Sequence, residues 1–501
     1  VLSALDVLAQ APQAPFVRPI IDWHAVAPEL VLVGLGALVT IVDIVWLDKA
    51  RRWIPALTGL SFLITMIPVL TLAHHGSTRV LWDGAFVVDQ YALVLKALFL
   101  LSGYVVVLLS HHYMADGDYH VNEYYQLIMA SVLGMVLMAS ARDLLTIFVA
   151  IELVSIPAFL LAAWRKRDLR SNEAGLKFML MGVFASAIML YGMSLLYGAA
   201  GDTRLFVIAD ALAEGTDPFF TLAIVFTLVG FGFKISAVPF HAWAPDTYEG
   251  APTPLTAFLA VASKAAGFVA LLNIVIVAFP PQADVVEPFM WVLAALSMTV
   301  GNLIALRQTN IVRMLAYSGI AQAGYIMAPL AVYGSVPEQA VSSIVTYLVI
   351  YAAMNLGAFA VVITAARKTR SADIESFGGL FSYAPGLAVA MTFFLFSLIG
   401  IPPFGGWYAK LVIFQALVAP NEFWGYVLAL VVAVNSVVAA FYYAAVARRM
   451  WFQPVPDGDR TPVVVPPALG AALVITGVVT VATGVFPHIV SDLMGFPHLG
   501  S

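Results

Sequence analysis

The chain has 501 residues, 62% of them hydrophobic and only 11% charged, with a mean hydropathy of +0.94. Soluble domains carry roughly 25% charged residues, so this composition excludes one. With no cysteine there is no disulfide, no thiolate nucleophile and no cysteine-ligated iron–sulfur cluster, and a net charge of −5 over this length points to no nucleic-acid partner.

Apolar windows of roughly 19 to 25 residues recur along the chain, whereas barrel strands would alternate weakly over about 10 residues. They predict an all-α polytopic membrane protein with about fourteen transmembrane helices. The spans lie near 27–46, 54–74, 87–110, 124–141, 143–164, 173–198, 219–242, 254–279, 287–306, 311–333, 338–365, 384–419, 422–447 and 463–486. The first 26 residues carry one Arg and an apolar run interrupted by Asp6, which reads as a short tail without a signal peptide.

The third span carries Lys96 in "YALVLKALFLL", with no acid near it in sequence. The fifth carries Glu152 in "TIFVAIELVSIPAF", read as the only carboxylate deep inside a predicted span. A charge at the bilayer centre costs about 2.5–3.5 kcal/mol on insertion scales, so this residue should face protein or water beside a cation, either as a proton-active group or as an ion pair clamping helices 5, 6 and 7. Lys177 follows in the first turns of the sixth span, close to the basic loop Arg165–Arg170, where an interfacial position competes with an internal one.

The seventh span contains "GFKISAVPFHAW". Pro239 removes a backbone donor and crowds the carbonyl of Ile235, freeing polar backbone beside Lys234 at membrane depth. Such backbone is tolerated only where protein or a wet cavity covers it, so a polar pocket is expected here, the alternative being a kink with a snorkelling lysine. His241, two residues past the proline, has a side chain suited to a proton relay or to a structural hydrogen bond. Lys264 sits mid-span among the small residues of "TAFLAVASKAAGFVALL", too deep to snorkel. The twelfth span is too long for one straight helix and is interrupted by "GIPPFGGWYAK", with Lys410 just beyond the interruption.

Loop charge gives the orientation. Fifteen basic residues fall in loops after odd-numbered spans, among them Arg51, Arg52, Arg165 and Arg313, against four on the other side, Arg18, Arg79, Arg142 and Arg204. Both termini therefore face away from the cytoplasm. The five basic residues left over are all lysines inside spans: Lys96, Lys177, Lys234, Lys264 and Lys410. Arginine stays charged, whereas burial lets a lysine release its proton, so the split is chemical.

A weak internal repeat aligns "SAVPFHAW" (Ser236–Trp243) with "GIPPFGGW" (Gly400–Trp407), and "RDLLTIFV" with "RQTNIVRM", at nearly the same offset. It carries span 7 onto span 12 and span 5 onto span 10, so the copies are inverted in the membrane. The expected organisation is a tail and helices 1–3 over residues 1–118, a first five-helix repeat over 119–283, a second over 284–450, and a last helix and tail over 451–501, with one broken helix per repeat. No nucleotide-binding or hydrolase motif occurs, and no histidine spacing suggests a metal site.

"FKISAVPFHAWAPDTYEGAPTPLTAFLAVASKAAGF" (Phe233–Phe268), "NIVRMLAYSGIAQAGYIM" (Asn310–Met327) and "NEAGLKFMLMGVFASAIMLYG" (Asn172–Gly192) together resemble the proton-pumping, antiporter-like membrane subunits of respiratory complex I, over roughly residues 87–450. Lys410 stands where the M type typically has Glu, and the chain ends without the lateral helix of the L type. Both features favour the N type. The family pattern often has His near Gln322.

The resemblance implies a half-channel in each inverted repeat, joined by a polar axis at the membrane midplane. Glu152 would match the family's helix-5 glutamate, Lys177 and Lys234 its helix-6 and helix-7 lysines, Lys264 the central lysine, and Lys410 the exit-side lysine. His241 joins them as a proton-transfer candidate. It further implies a bacterial plasma-membrane protein working as part of a proton-translocating NADH:quinone oxidoreductase. FMN, Fe–S clusters and quinone would sit in other subunits, and an M-type neighbour and small K- and J-type subunits would adjoin it in the bilayer. Two alternatives share the fold: a subunit of a multi-subunit cation/proton antiporter, and a structural spacer in the membrane arm.

Overall fold

The computed structural model describes residues 21–50, 52–115, 121–215, 218–493 and 495; the N-terminal tail with Arg18, and Arg51, lie outside these. Each of the fourteen apolar segments is helical over most of its length. The first six helices are α1 (Ala27–Ala50), α2 (Ile54–His75), α3 (Gln90–Ala115), α4 (Val121–Ser140), α5 (Leu144–Ala162) and α6 (Leu169–Ala200). A short α7 (Leu205–Ala213) leads to α8 (Pro218–Lys234), a break, and α9 (Trp243–Gly250). Then come α10 (Thr253–Val277), α11 (Ala283–Ala305), α12 (Ile311–Met327) and α13 (Pro337–Thr369). The last part holds α14 (Leu380–Tyr383), α15 (Pro385–Ile399), a second break, α16 (Gly405–Val418), α17 (Phe423–Phe452), α18 (Pro467–Val485) and α19 (His488–Ser491).

Among the described residues, 11 helices are long and apolar enough to cross a membrane, and α8 and α15 are shorter apolar helices. The protein is thus an all-helical polytopic membrane protein. One departure from the purely helical expectation is a small hairpin, β1 (Arg79–Leu81) against β2 (Phe86–Val88), between α2 and α3.

Burial separates inner helices from outer ones. In α13 and α10, 94% and 89% of the apolar window is covered, against 17% in α1. Close approach depends on small residues, since lipid supplies no hydrophobic drive between helices. A Cβ on Gly192 of α6 would lie 2.5 Å from the backbone nitrogen of Thr227 on α8, so any side chain there would force the two helices apart.

A set of contacts occurs twice. A Cβ on Gly134 would fall 2.8 Å from the Ala150 carbonyl oxygen and 3.0 Å from the Val154 nitrogen; one on Gly301 would fall 2.9 Å from that of Tyr317 and 2.7 Å from the Ala321 nitrogen. Asp143 caps α5 by accepting from Thr146 N, and Asn310 caps α12 by accepting from Val312 N and Arg313 N. Each capping residue also makes an isolated antiparallel bridge, Asp143 to Arg204 and Asn310 to Asp373.

Candidate functional site

The first break begins where Ser236 adopts a positive φ of 60° and ends the α-helical ladder two residues past Lys234. The freed carbonyls find other donors. Ala237 N donates to Gly232 O at 2.8 Å, and the Trp243 indole donates to Phe233 O at 3.1 Å, so the start of α9 holds the end of α8. The Val238–Pro239 peptide in the break is cis. Lys234 passes under α10 at Gly267, where a Cβ would sit 3.2 Å from the lysine Cβ. Its ammonium donates to Ser155 Oγ at 2.7 Å and lies 3.6 Å from Glu152 Oε1. Ser186 of α6 donates to the same carboxylate oxygen at 2.6 Å. The expected Glu152 pairing therefore goes to Lys234, and three elements, α5, α6 and α8, meet at it.

Lys264 ends a π turn, Leu259–Ser263, inside α10, a distortion that often marks functional positions. The side chain is only 2% exposed, and its ammonium donates to the Gly319 carbonyl of α12 at 2.7 Å. The Tyr351 hydroxyl faces the same glycine and accepts from Asn355 at 2.9 Å.

At the second break Gly400 takes a φ of 98°, and the Pro402–Pro403 peptide is cis. Gly406 admits no side chain, because a Cβ there would stand 1.7 Å from the Ser397 carbonyl oxygen. Lys410 donates to the Ile399 carbonyl freed by the break at 2.7 Å and to Ser436 Oγ at 3.0 Å, with the Tyr325 ring 4.6 Å from its nitrogen. Buried hydroxyls occupy the region around Tyr325: Ser318 bonds Tyr443, and Tyr347 donates to Gln322 Oε1 at 2.5 Å. Gln322 in turn donates to Leu398 O at 3.3 Å, so both ends of its amide are engaged.

Lys177 is placed elsewhere. Its side chain is 43% exposed and bonds Asp246 at 2.8 Å and Glu173 at 2.7 Å, at the end of α6 nearest the Arg165–Arg170 loop and not beside Glu152. His241 lies in the break, partly exposed, with Nδ1 unbonded among the described residues. Lys96 is fully buried and pairs with Glu29 of α1 at 2.7 Å, the Phe86 ring lying 5.2 Å away. Sequence reasoning missed this carboxylate because Glu29 reads as an ordinary first-turn acid. The available signal was that Glu29 and Lys96 both lie in the first halves of odd-numbered spans, hence toward one face of the membrane.

Helices with lipid-length apolar surfaces, two of them broken at depth, and lysines enclosed beside the breaks define a membrane protein built to carry charge through its interior. A family profile described as NADH:quinone oxidoreductase/Mrp antiporter, transmembrane, matches residues 141–436. NADH-quinone oxidoreductase subunit N of Trichlorobacter lovleyi is 38% identical over 94% of this chain and 96% of the relative, and that of Desulforamulus reducens is 40% identical over 93% and 96%. A chain of the solved respiratory complex I from Thermus thermophilus with bound aureothin superposes with a TM-score of 0.78 at 33% identity, over 94% of this chain and 100% of that one. The chain belongs to the N-type family of antiporter-like, proton-translocating membrane-arm subunits of NADH-quinone oxidoreductase, respiratory complex I.

Proposed function

We propose that protons cross this subunit along an axis of Glu152, Lys234, Lys264 and Lys410, driven by redox chemistry in other subunits. The observation that carries this reading is the unequal solvation of the three lysines. Lys234 stands beside a carboxylate, whereas Lys264 and Lys410 donate to neutral carbonyl and hydroxyl oxygens. In a low dielectric an adjacent carboxylate favours the charged ammonium far more than a carbonyl does. When Glu152 withdraws, Lys234 loses that support and its proton passes toward Lys264 and then Lys410. Moving one charge against the membrane potential costs about 2.3 kcal/mol per 100 mV, a scale that making and breaking one buried ion pair can supply. His241, in the break beyond Lys234, is a further proton-transfer candidate beside this axis.

The repeated glycine contacts, caps and bridges support two inverted repeats, 119–283 and 284–450, within fourteen crossings, flanked by 1–118 and 451–501. Each repeat contributes one broken helix and one half-channel. The loop-charge bias supports an orientation in a bacterial plasma membrane with the Arg165–Arg170 loop in the cytoplasm and both termini outside. Glu152 is 20% exposed midway along α5, on a flank where Leu145, Val149, Ile156 and Leu160 are also exposed. A carboxylate at that depth does not face lipid, so small K- or J-type subunits cover it, and an M-type neighbour adjoins the subunit. FMN, Fe–S clusters and quinone belong to other subunits of the complex.

The test is Glu152→Gln in the assembled enzyme, with NADH oxidation and proton uptake measured together. Proton uptake is expected to fall about tenfold or more, since the glutamine cannot carry the charge that holds Lys234 protonated. Unchanged pumping would remove Glu152 from the mechanism.

A further inference from the structure

Five charged side chains on the face that carries the Arg165–Arg170 loop form one continuous chain. Glu173 bonds Lys177 at 2.7 Å, Lys177 donates to Asp246 Oδ2 at 2.8 Å, and Arg313 Nη1 donates to Asp246 Oδ1 at 2.8 Å and to Glu249 Oε2 at 3.0 Å. Asp246 is its middle link, and among these five residues the only one joining α6 to α12. It sits on α9, the segment immediately beyond the first break.

Position on α9 matters because α9 is fastened to the residue before Lys234. The Trp243 ring stacks on Phe178 of α6 at 4.4 Å, and its indole donates to Phe233 O. At the other end of α9, Gly250 is pressed against α6, where a Cβ would lie 2.6 Å from the Arg170 carbonyl oxygen. Arg165 donates to the Gly250 carbonyl at 2.7 Å. Those contacts bind α9 to α6, to the loop before it and to the end of α8. Arg313 adds α12, the helix whose Gly319 carbonyl holds Lys264.

We propose that Asp246 is a positioning residue for proton transfer at Lys234 and Lys264. By gripping Lys177 and Arg313 at once, it fixes α9 between α6 and α12 and so sets the distance from the end of α8 to the helix that receives Lys264. This assigns Lys177 to the bracing of the break and not to the pairing of Glu152, and it rests on the proton axis proposed above. Isolated exposed ion pairs contribute little to stability, but charge-assisted bonds joined in a network define geometry, which is the property required here.

The experiment uses the complete membrane-embedded complex carrying Asp246→Asn, Asp246→Glu, Glu249→Gln or Arg313→Gln. Assembly is checked by native electrophoresis, and NADH oxidation and proton translocation are read in the same vesicles. Asp246→Asn is expected to lower proton translocation about tenfold in assembled complex, the scale of a small misplacement of reacting groups. Asp246→Glu restores most of it, and Glu249→Gln, which leaves the α6–α12 bridge intact, stays within about twofold of the parent. If Asp246→Asn does not assemble, Arg313→Gln carries the test, because it cuts only the arm to α12 and is expected to show the same loss. Wild-type translocation in assembled Asp246→Asn or Arg313→Gln overturns the proposal, as does a loss in Asp246→Glu as large as in Asp246→Asn. If these variants pump normally while Glu152→Gln does not, only the bracing role falls. If Glu152→Gln also pumps normally, the axis itself falls.

Discussion

At the scale of single residues, the difference between lysine and arginine organises the interior. Lys264 and Lys410 are 2% and 6% exposed and rest on backbone carbonyls, and such sites tolerate an ammonium because it can become neutral. A guanidinium in the same place would stay charged at every physiological pH. Lys264→Arg in the assembled complex is therefore expected to abolish most proton translocation while NADH-binding and quinone-reducing subunits remain present. The check is the ratio of protons moved to NADH oxidised in vesicles. Full pumping by the arginine variant would make Lys264 structural. The Glu29–Lys96 pair is a different use of the same chemistry: it joins α1, otherwise largely uncovered, to α3. Removing one partner of a buried pair is costlier than removing both, because an unpaired charge is left behind.

Element-scale behaviour is concentrated at the two breaks. Each ends a helix with a residue at positive φ, Ser236 or Gly400, and each leaves carbonyls that a tryptophan or a lysine then uses. The second break is the tighter one, because the Gly406 Cα hydrogens face the Ser397 carbonyl with no room for a methyl group. Gly406→Ala must push α15 and α16 apart and is expected to cost about 3 kcal/mol, as overpacking against fixed backbone does, and to move Lys410 off Ile399 O. Gly386→Ala serves as the control, since nothing lies within 4 Å of a Cβ there. Thermal inactivation of the purified complex should separate them, with Gly406→Ala less stable and Gly386→Ala unchanged. Equal midpoints would show that the break is looser than its contacts indicate.

For the whole molecule, the question is which ion the proposed axis passes. Ammonium groups at successive positions repel metal cations but accept and release protons, and among the described residues no cluster of His, Asp or Glu could hold a metal ion. NADH-driven translocation by vesicles is accordingly expected to be the same in sodium-free and sodium-containing buffer, read with a pH-sensitive dye and a sodium tracer side by side. Sodium uptake linked to NADH oxidation would instead favour the antiporter reading of the shared fold.

Most of the architecture could be read from the chain itself. Hydropathy located the 11 helices that are long and apolar enough to cross the membrane among the described residues, and the shorter α8 and α15, because a lipid-facing or lipid-length helix must be largely apolar wherever it ends up in the bundle. Both breaks were legible for a local reason: Pro239 and the Pro-Pro and Gly-Gly pairs of residues 402–406 cannot continue a helix. The existence of buried lysines followed from counting charges inside spans.

Pairing was not legible, since it depends on which faces of distant helices meet. Sequence left Glu152 between Lys177 and Lys234; the packing of α8 against α5 and α6 chose Lys234 and sent Lys177 to Asp246. Glu29 looked like a routine first-turn acid until α1 and α3 were side by side. Composition and periodicity thus determined that this protein spans the bilayer, where its helices snap and that Lys96, Lys234, Lys264 and Lys410 are buried, but they placed Lys177 inside as well, and the structure leaves it 43% exposed. Only tertiary structure decided each cation's partner, because an ion pair depends on a few ångströms between residues that can lie tens of positions apart along the chain.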